Sequence, residues 1–272
     1  MHLQHGPIDL IIGADGDRHS AFTAATECFQ TILADLVSEL PELRLPLTRD
    51  VPPPLKATAL RMDQAVRPFM QATFVTRMAA IAGSVADTIL DAMKNKDISR
   101  AYVNNGGDIA LHLTPDTSFT MAMAGYNGAE LGRIEVNYSD PVRGIATSGR
   151  HGRSHSLGIA DSVTVLGQTA ATADVAATLV ANCVNLPKHP EITHMPASAL
   201  DDDNDLGDLP VVTGVGRLPT KDVEKALQAG RKQAHIYIQQ NLISGAALFL
   251  QDQSETTCPA QLSIIQRTPH YA

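Results

Sequence analysis

A run of eleven residues, from Ala146 to Ser156, carries side chains suited to holding an anion. It contains two arginines, two histidines, four hydroxyl groups and two glycines, in a chain whose formal net charge is -8. Guanidinium groups form paired hydrogen bonds with phosphate, and glycines let backbone amides approach it. The run therefore predicts an anion-binding loop, although a polar surface loop can have the same composition.

The segment from Asn104 to Asp108 reads Asn-Asn-Gly-Gly-Asp and lies between two apolar runs. Asn-Gly in such a position is a strong signal for a tight β-hairpin turn. The two glycines would also let backbone amides approach a ligand, while Asn104 and Asp108 offer hydrogen bonds at its rim. A plain turn and a ligand-binding turn are both compatible with the sequence.

Two further oxygen-bearing side chains, Asp174 and Thr178, are four residues apart in an alanine-rich segment. On a helix, this spacing places both on one face, where their oxygens could bind Mg²⁺ or Ca²⁺. The structural alternative is that Asp174 interacts with the dipole at the helix N-terminus. Thr178 would then bond to the preceding turn.

A nucleophilic triad can be drawn from Ser148, either His151 or His155, and Asp161. These residues lie within a span so short that we expect a binding loop rather than a triad.

The composition excludes several classes of protein. With 272 residues, of which 44% are hydrophobic, the chain can bury a full core. The acidic balance and the 4% of aromatic residues disfavour nucleic acid as a partner. No run approaches the roughly 18 apolar residues of a membrane span, and no segment resembles a signal peptide, so a cytoplasmic protein is expected. Cys28, Cys183 and Cys258 are widely spaced, which predicts reduced thiols rather than disulfides or a zinc cluster.

The periodicity of apolar residues predicts the elements that position these groups. Helices are predicted over 20–40, 57–66, 76–93, 168–184 and 220–242, and strands over 8–14, 100–103, 108–113, 119–124, 133–136, 144–147, 162–167, 211–215 and 243–250. Ser20 is expected to cap the first helix, prolines predict a loop over 41–54, and an acidic loop is expected over 187–210. Strand clusters followed by helices are typical of an α+β fold with mainly antiparallel sheets.

Five segments occur in an order that resembles the ApbE superfamily. They are Ile81-Ala82-Gly83-Ser84-Val85-Ala86-Asp87, the turn 104–108, Ala146-Thr147-Ser148-Gly149, Ser162-Val163-Thr164-Val165 and the pair Asp174 and Thr178. Within that superfamily, the chain is most similar to uncharacterised cytosolic ApbE-related proteins, with Met78-Ala79-Ala80-Ile81-Ala82-Gly83 preceding the turn. The resemblance extends over about residues 70 to 185.

The resemblance implies one ApbE-like α+β domain over 1–272, which could consist of two intertwined lobes resembling duplicated T-folds. ApbE proteins use Mg²⁺ to transfer FMN from FAD to a threonine or serine of a protein acceptor. By the resemblance, Asp174, Thr178 and the backbone carbonyl of Ala82 would bind the metal. The FAD or FMN, a small phosphate-bearing ligand, would contact Asn104, Gly106, Gly107, Asp108, Thr147, Ser148, Gly149, Arg150 and Arg153.

Two departures from the transferase pattern leave other functions open. Ala82 stands where the transferases have a lysine, and residues 155–161 replace their His-Ile-x-x-Pro-x-x-Gly segment. One alternative is a non-catalytic ligand-binding or assembly protein with the same fold. Another is a homo-oligomer that holds a pterin-like or purine-like ring where its subunits meet.

Overall fold

The computed structural model describes residues 1–70, 74–94, 97–257 and 262–264. The helices are α1 (Arg18–Ser38), α2 (Leu40–Leu43), α3 (Ala57–Val66), α4 (Ile81–Met93), α5 (Ala170–Cys183) and α6 (Thr220–Gln239). The strands are β1 (His2–His5), β2 (Ile8–Gly16), β3 (Ile98–Asn105), β4 (Asp108–Leu113), β5 (Ser118–Ala124), β6 (Glu130–Asn137), β7 (Gly144–Ser148), β8 (Ser162–Gly167), β9 (Ile192–Pro196), β10 (Pro210–Val215), β11 (Gly245–Leu250), β12 (Gln253–Thr256) and β13 (Leu262–Ile264). Short 3₁₀ helices cover Arg67–Phe69, Arg77–Ala80 and Ala197–Ala199.

This mixture of helices and mainly antiparallel strands confirms the α+β class expected from the sequence. No helix in the described part of the chain is both long and apolar enough to cross a membrane. Cys28 and Cys183 are free thiols, and Cys258 lies outside the described residues.

Several local features differ from the sequence-based expectation: α2 (Leu40–Leu43) falls largely in the predicted proline loop, and β1 and β12 were not predicted. The cap of α1 is Asp17, whose side chain accepts a hydrogen bond from the backbone N–H of Ser20, so the helix begins two residues before the expected cap. Part of the range 187–210 is not a loop, because β9 pairs antiparallel with β10. The acidic residues 201–205 do lie outside strands, in the connection between the two.

The chain groups into two compact units. The first consists of residues 1–118, 137–146 and 166–175, and the second of 119–136, 147–165 and 176–272. Each unit combines segments that are distant in sequence.

The first unit contains a sheet in which β1, β2, β3, β4 and β7 are neighbours in that order. All four of these pairings are antiparallel. Residues Ile8, Leu10, Ile12 and Ala14 of β2 alternate with more exposed neighbours, as a strand with one buried face requires. Helices α1 and α4 pack together, and α4 also packs on β3 and β4.

A buried ion pair fastens the proline-rich segment of the first unit. The guanidinium of Arg77, only 1% exposed, donates to the carboxylate of Asp63 at 2.8 Å and to the carbonyls of Glu42 and Pro52. Arg67 donates to the same carboxylate and to the carbonyl of Val51. The irregular segment is therefore held by side chains that satisfy its carbonyl groups.

The second unit places β8 beside β11, and β11 beside β12. Every residue of β8 and β11 is buried, and neither strand contains a charged residue. Helix α6 packs on β11 and β12. A separate sheet is formed by β5, β6 and β13, and the connection between β5 and β6 carries Tyr126.

Candidate functional site

In the first unit, Asp174 joins the beginnings of α4 and α5. Its Oδ2 atom accepts a hydrogen bond from the backbone N–H of Gly83 at 3.0 Å. A Cβ atom at position 83 would lie 2.3 Å from the carbonyl oxygen of Ala170. The close approach of the two helices therefore requires the glycine and aims the carboxylate at the first turn of α4.

Asp87, on α4, makes the reciprocal connection to the start of α5, a role that was not predicted from the sequence. Its two carboxylate oxygens accept from the backbone N–H groups of Ala170 and Ala171, at 3.2 and 2.9 Å. The hydroxyl of Thr169 accepts from the backbone N–H of Thr172 at 3.1 Å. Asp87 and Thr169 thus cap α5, so Asp174 is not needed as its capping residue. A sequence signal for Asp87 was available, since it lies among the apolar and small residues of α4, and a carboxylate buried there needs a partner.

The electrostatics of these carboxylates follow from their surroundings. Burial raises the pKa of Asp174 well above its usual value, and the negative charge of Asp108 raises it further. Burial also raises the pKa of Asp87, against the effect of its two backbone hydrogen bonds. Ionising either carboxylate therefore carries a desolvation cost, which a nearby cation would offset.

The turn 104–108 lies close to Asp174 and to the first turn of α4 in this unit. Gly106 and Gly107 have φ angles of 64° and 111°, and Asn104 accepts from the backbone N–H of Gly107 at 2.8 Å. This confirms the tight hairpin turn between β3 and β4. The Oδ1 atom of its first asparagine stabilises the turn, and the predicted contact of Asn104 with a ligand stays a prediction.

The second asparagine of the turn contacts the first turn of α4. The Nδ2 group of Asn105 donates to the carbonyl oxygen of Ala82 at 3.1 Å. The Oδ1 atom of Asn105 is buried and has no hydrogen-bond partner among the described residues. A buried acceptor without a partner is costly, so a missing donor or cation is the simplest explanation.

These groups are oxygen donors of the kind that hard cations prefer. The structure brings together Ala82, Asn105, Asp108 and Asp174 within the first unit. Thr178 is half-buried one turn further along α5. Among the described residues, no group of three or more His, Cys, Asp or Glu side chains could by itself hold a metal ion.

In the second unit, the loop that follows β7 is built around Asp161. Gly149 has a φ angle of 153°, and a Cβ atom there would lie 2.5 Å from the carbonyl oxygen of Asp161. The hydroxyl groups of Thr147 and Thr164 are 2.9 Å apart. The predicted residues Thr147, Ser148 and Gly149 therefore form an ordered edge, and Arg153 is exposed.

The guanidinium of Arg150 is already paired. Its Nε and Nη2 atoms lie 2.9 and 2.7 Å from Oδ1 of Asp161, and His151 lies 3.3 Å from the same oxygen. The other oxygen, Oδ2, accepts from the backbone N–H of Gln251, which has a φ angle of 52°. Because Asp161 neutralises Arg150, this arginine is less suited to hold a phosphate than its sequence context predicts.

A cleft of about 210 Å³ lies beside this cluster, entirely within the second unit. Its lining includes Tyr126, Arg150, Asp161, Phe249 and Ser254. The ring of Tyr126 stacks on the imidazole of His151 at 3.9 Å, yet the residue is 70% exposed. An exposed ring fixed by stacking can receive a second planar ring. Tyr126 was not among the residues predicted from the sequence, although its position beside the Asn-Gly pair at 127–128 was a usable signal.

Comparisons with known proteins agree with the fold. A family model described as AbpE bacteria matches residues 1–256. A UPF0280 protein of Methanococcus maripaludis is 38% identical over 111 residues, which cover 39% of this chain and 44% of that protein. A UPF0280 protein of Methanothermobacter thermautotrophicus is 36% identical over 113 residues, covering 40% and 43%. The match thus spans less than half the length of these curated relatives.

Among solved structures, the flavin transferase ApbE from Vibrio cholerae has a similar fold. The TM-score is 0.52 at 12% sequence identity, and the similarity covers 94% of this chain and 96% of that one. Together with the family match, this confirms the ApbE-like α+β fold and the resemblance inferred from the five sequence segments.

Proposed function

The chain belongs to the AbpE bacteria family, and from this premise we propose that it binds a flavin nucleotide, FAD or FMN, together with Mg²⁺. The observation that carries the proposal is the cluster of oxygen atoms around Asp174 in the first unit. A carboxylate with a raised pKa lies there with a buried, unpartnered amide oxygen on Asn105. A divalent cation would satisfy both.

The donor set fits Mg²⁺ bound with a phosphate-bearing ligand. Mg²⁺ commonly keeps several waters and takes one or two carboxylates, the remaining positions going to substrate phosphates. Asp174 and the carbonyl of Ala82, both in the first unit, would supply protein ligands. The metal-binding role predicted for Thr178, which belongs to the second unit, remains a separate proposal. When bound, the ion would reduce the repulsion among pyrophosphate oxygens during phosphoryl transfer.

The nucleotide contacts are proposed from the remaining predicted residues. In the first unit, the proposed contacts are Gly106, Gly107 and Asp108 of the hairpin turn. In the second unit, they are Thr147, Ser148, Gly149 and Arg153 of the loop after β7, and each set is tested by its own substitutions. The role of Arg150 changes from phosphate contact to positioning, since it holds Asp161. The exposed face of Tyr126 would stack on a planar ring in the cleft of the second unit.

In the transferase version of the proposal, a serine or threonine hydroxyl of an acceptor protein bonds to the FMN phosphorus. The bond from that phosphorus to the bridging oxygen of FAD breaks, AMP leaves with the bridging oxygen, and the hydroxyl proton passes to solvent. The name of the structurally similar Vibrio cholerae protein, a flavin transferase, supports this version.

A second candidate function is ligand binding without transfer. It is favoured by the Arg150–Asp161 pair, because this pair lies where the sequence departs from the transferase pattern and neutralises a cation available for charge stabilisation. Under this hypothesis the metal cluster would be dispensable for ligand affinity.

Two measurements separate the two functions. Flavin fluorescence during a titration of the protein with FAD, with and without Mg²⁺, measures binding. Release of AMP in the presence of candidate acceptor proteins measures transfer. Asp174→Asn is the test variant, and Asp202→Asn, in the exposed acidic connection, is its matched control. Mg²⁺-dependent AMP release lost only in Asp174→Asn supports the transferase. FAD binding without AMP release, equal in both variants, supports the second candidate, and absence of FAD binding to the wild type overturns both.

A cytoplasmic location and a homo-oligomeric state, both expected from the sequence, remain predictions. A native mass measurement tests the homo-oligomeric state. The hypothesis of a pterin-like or purine-like ring held where subunits meet also requires that state.

A further inference from the structure

The first unit also contains a pocket whose lining includes none of Ala82, Asn105, Asp108 and Asp174, the residues of the oxygen cluster. It has a volume of about 190 Å³. Strand β4 runs from the oxygen cluster to this pocket. Asp108, at the beginning of the strand, belongs to the cluster, and His112, four residues later, lines the pocket. Four residues of extended strand span about 13 Å. The pocket is lined by Arg61, Asp87, Leu90, Asp91, Lys94, Leu111, His112, Arg143, Gln168 and Thr169.

Two of the three cations in this pocket share one carboxylate. Asp91 accepts from Nη2 of Arg61 at 2.5 Å and from Nζ of Lys94 at 2.7 Å. The exposed fractions of these three side chains are between 33% and 45%, so a ligand from solvent can contact them. One negative charge cannot neutralise two positive charges, so a net positive charge remains on this side.

Arg143 supplies the third cation from the segment before β7. Its guanidinium donates to the backbone carbonyls of Tyr138, Asp140 and Val142, at 2.6 to 2.8 Å. No carboxylate lies within ion-pair distance of it among the described residues. The three carbonyl bonds fix the group in place without cancelling its charge, which is how a preorganised anion contact is built.

The histidine in the pocket reports the same electrostatic environment. Burial lowers the pKa of His112, and the positive charges of Lys94 and Arg143 lower it further. Asp87, the other carboxylate in the lining, already accepts two backbone N–H groups of α5. The pocket is therefore lined by three cations and two carboxylates, with additional polar groups in Gln168 and Thr169.

We propose that this pocket binds a phosphate-sized oxyanion, either inorganic phosphate or the phosphate group of a phosphomonoester, through Arg143, Lys94 and Arg61. The three cations come from different elements, namely the segment before β7, the end of α4, and α3, so they can surround a tetrahedral anion. A small polar cavity suits such an ion better than an apolar molecule. The inference does not depend on flavin binding at the other site.

The experiment is a calorimetric titration of the full-length protein with inorganic phosphate at low salt, and in parallel with AMP as the phosphomonoester. Lys94→Gln removes an exposed charge with little risk to folding, and Arg143→Gln removes the preorganised one. Arg133→Gln, at an exposed position on β6, is the matched control. We expect phosphate binding to weaken at least about tenfold in Lys94→Gln and Arg143→Gln and to remain unchanged in Arg133→Gln.

Stronger binding of AMP than of phosphate would identify a phosphomonoester as the ligand class, and equal binding would identify the phosphate group alone. The inference is overturned if neither ligand binds saturably at up to about 10 mM, or if Lys94→Gln binds like the wild type. Asp174→Asn tests whether this pocket binds independently of the proposed flavin site. The affinity for phosphate should be unchanged in that variant even if flavin binding is lost.

Discussion

Asp174→Asn is expected to make the protein more stable without metal, while abolishing its response to Mg²⁺. The amide is nearly the same size as the carboxylate and can still accept the hydrogen bond from the backbone N–H of Gly83. What it removes is the negative charge, which burial and the neighbouring Asp108 disfavour. The variant thus separates the structural role of this side chain from its proposed role as a metal ligand.

The sign and size of the effect follow from proton linkage. In the folded protein the pKa of Asp174 lies above the usual value of 3.8, so the native state binds the proton more tightly than the unfolded state does. Stability from this group is therefore full below 3.8 and is lost as the pH rises towards the folded pKa. The loss is at most about 1.4 kcal/mol per pH unit. The amide side chain of the variant cannot ionise, so this loss should disappear.

The assay is urea unfolding between about pH 4 and pH 8, first with a chelator and then with Mg²⁺. With the chelator, the difference in the free energy of unfolding between variant and wild type should grow with pH. With Mg²⁺ at about 100 times its dissociation constant, the wild type should gain about 2.7 kcal/mol and the variant nothing. Asp202→Asn controls for the change in net charge. The reasoning is refuted if the variant is less stable at every pH, or if Mg²⁺ stabilises both proteins equally.

Two further substitutions test the packing around the sites. Arg77→Met should lower the free energy of unfolding by about 3–5 kcal/mol, because it removes a buried charge from Asp63 and the donor for two backbone carbonyls; Arg133→Met, at an exposed position, should change it by less than about 0.5 kcal/mol in the same urea titration. Gly149→Ala should cost at least about 1–3 kcal/mol, because its Cβ would meet backbone atoms of Asp161. Gly107→Ala also has a positive φ angle but no atom within 4 Å of its new Cβ, so similar losses in both alanine variants would show that the contact with Asp161 does not matter.

Local patterns predicted much of the fold. The alternating burial of β2 and the Asn-Gly turn between β3 and β4 are decided by neighbouring residues, so both could be predicted from the sequence. Strand β10 matches the strand predicted over 211–215, whereas β9 lies within the predicted loop, because its polar surroundings resemble a solvated segment and its pairing with β10 is not a local pattern.

The candidate site likewise combines features that local sequence patterns predict with contacts that they do not. The spacing of Asp174 and Thr178 along one helix could be read directly. The partners of Asp87 and Arg150 could not, because Ala170 is 83 residues from Asp87, and the pairing of Arg150 with Asp161 depends on how the loop folds back. Contacts between residues that are separated in the sequence are set by tertiary packing, and the periodicity of the sequence does not reveal them.

The reciprocal carboxylate contacts between α4 and α5 can form only late in synthesis. The backbone N–H of Gly83 bonds to a side chain that lies 91 residues further along the chain. At the usual pace of about 5–20 residues per second, that partner is made roughly 5–20 seconds later. During this interval the small-residue face of α4 lacks the helix it is shaped to meet. A nascent chain stalled before residue 166 should therefore be an especially vulnerable target for proteases and a preferred client of ribosome-associated chaperones.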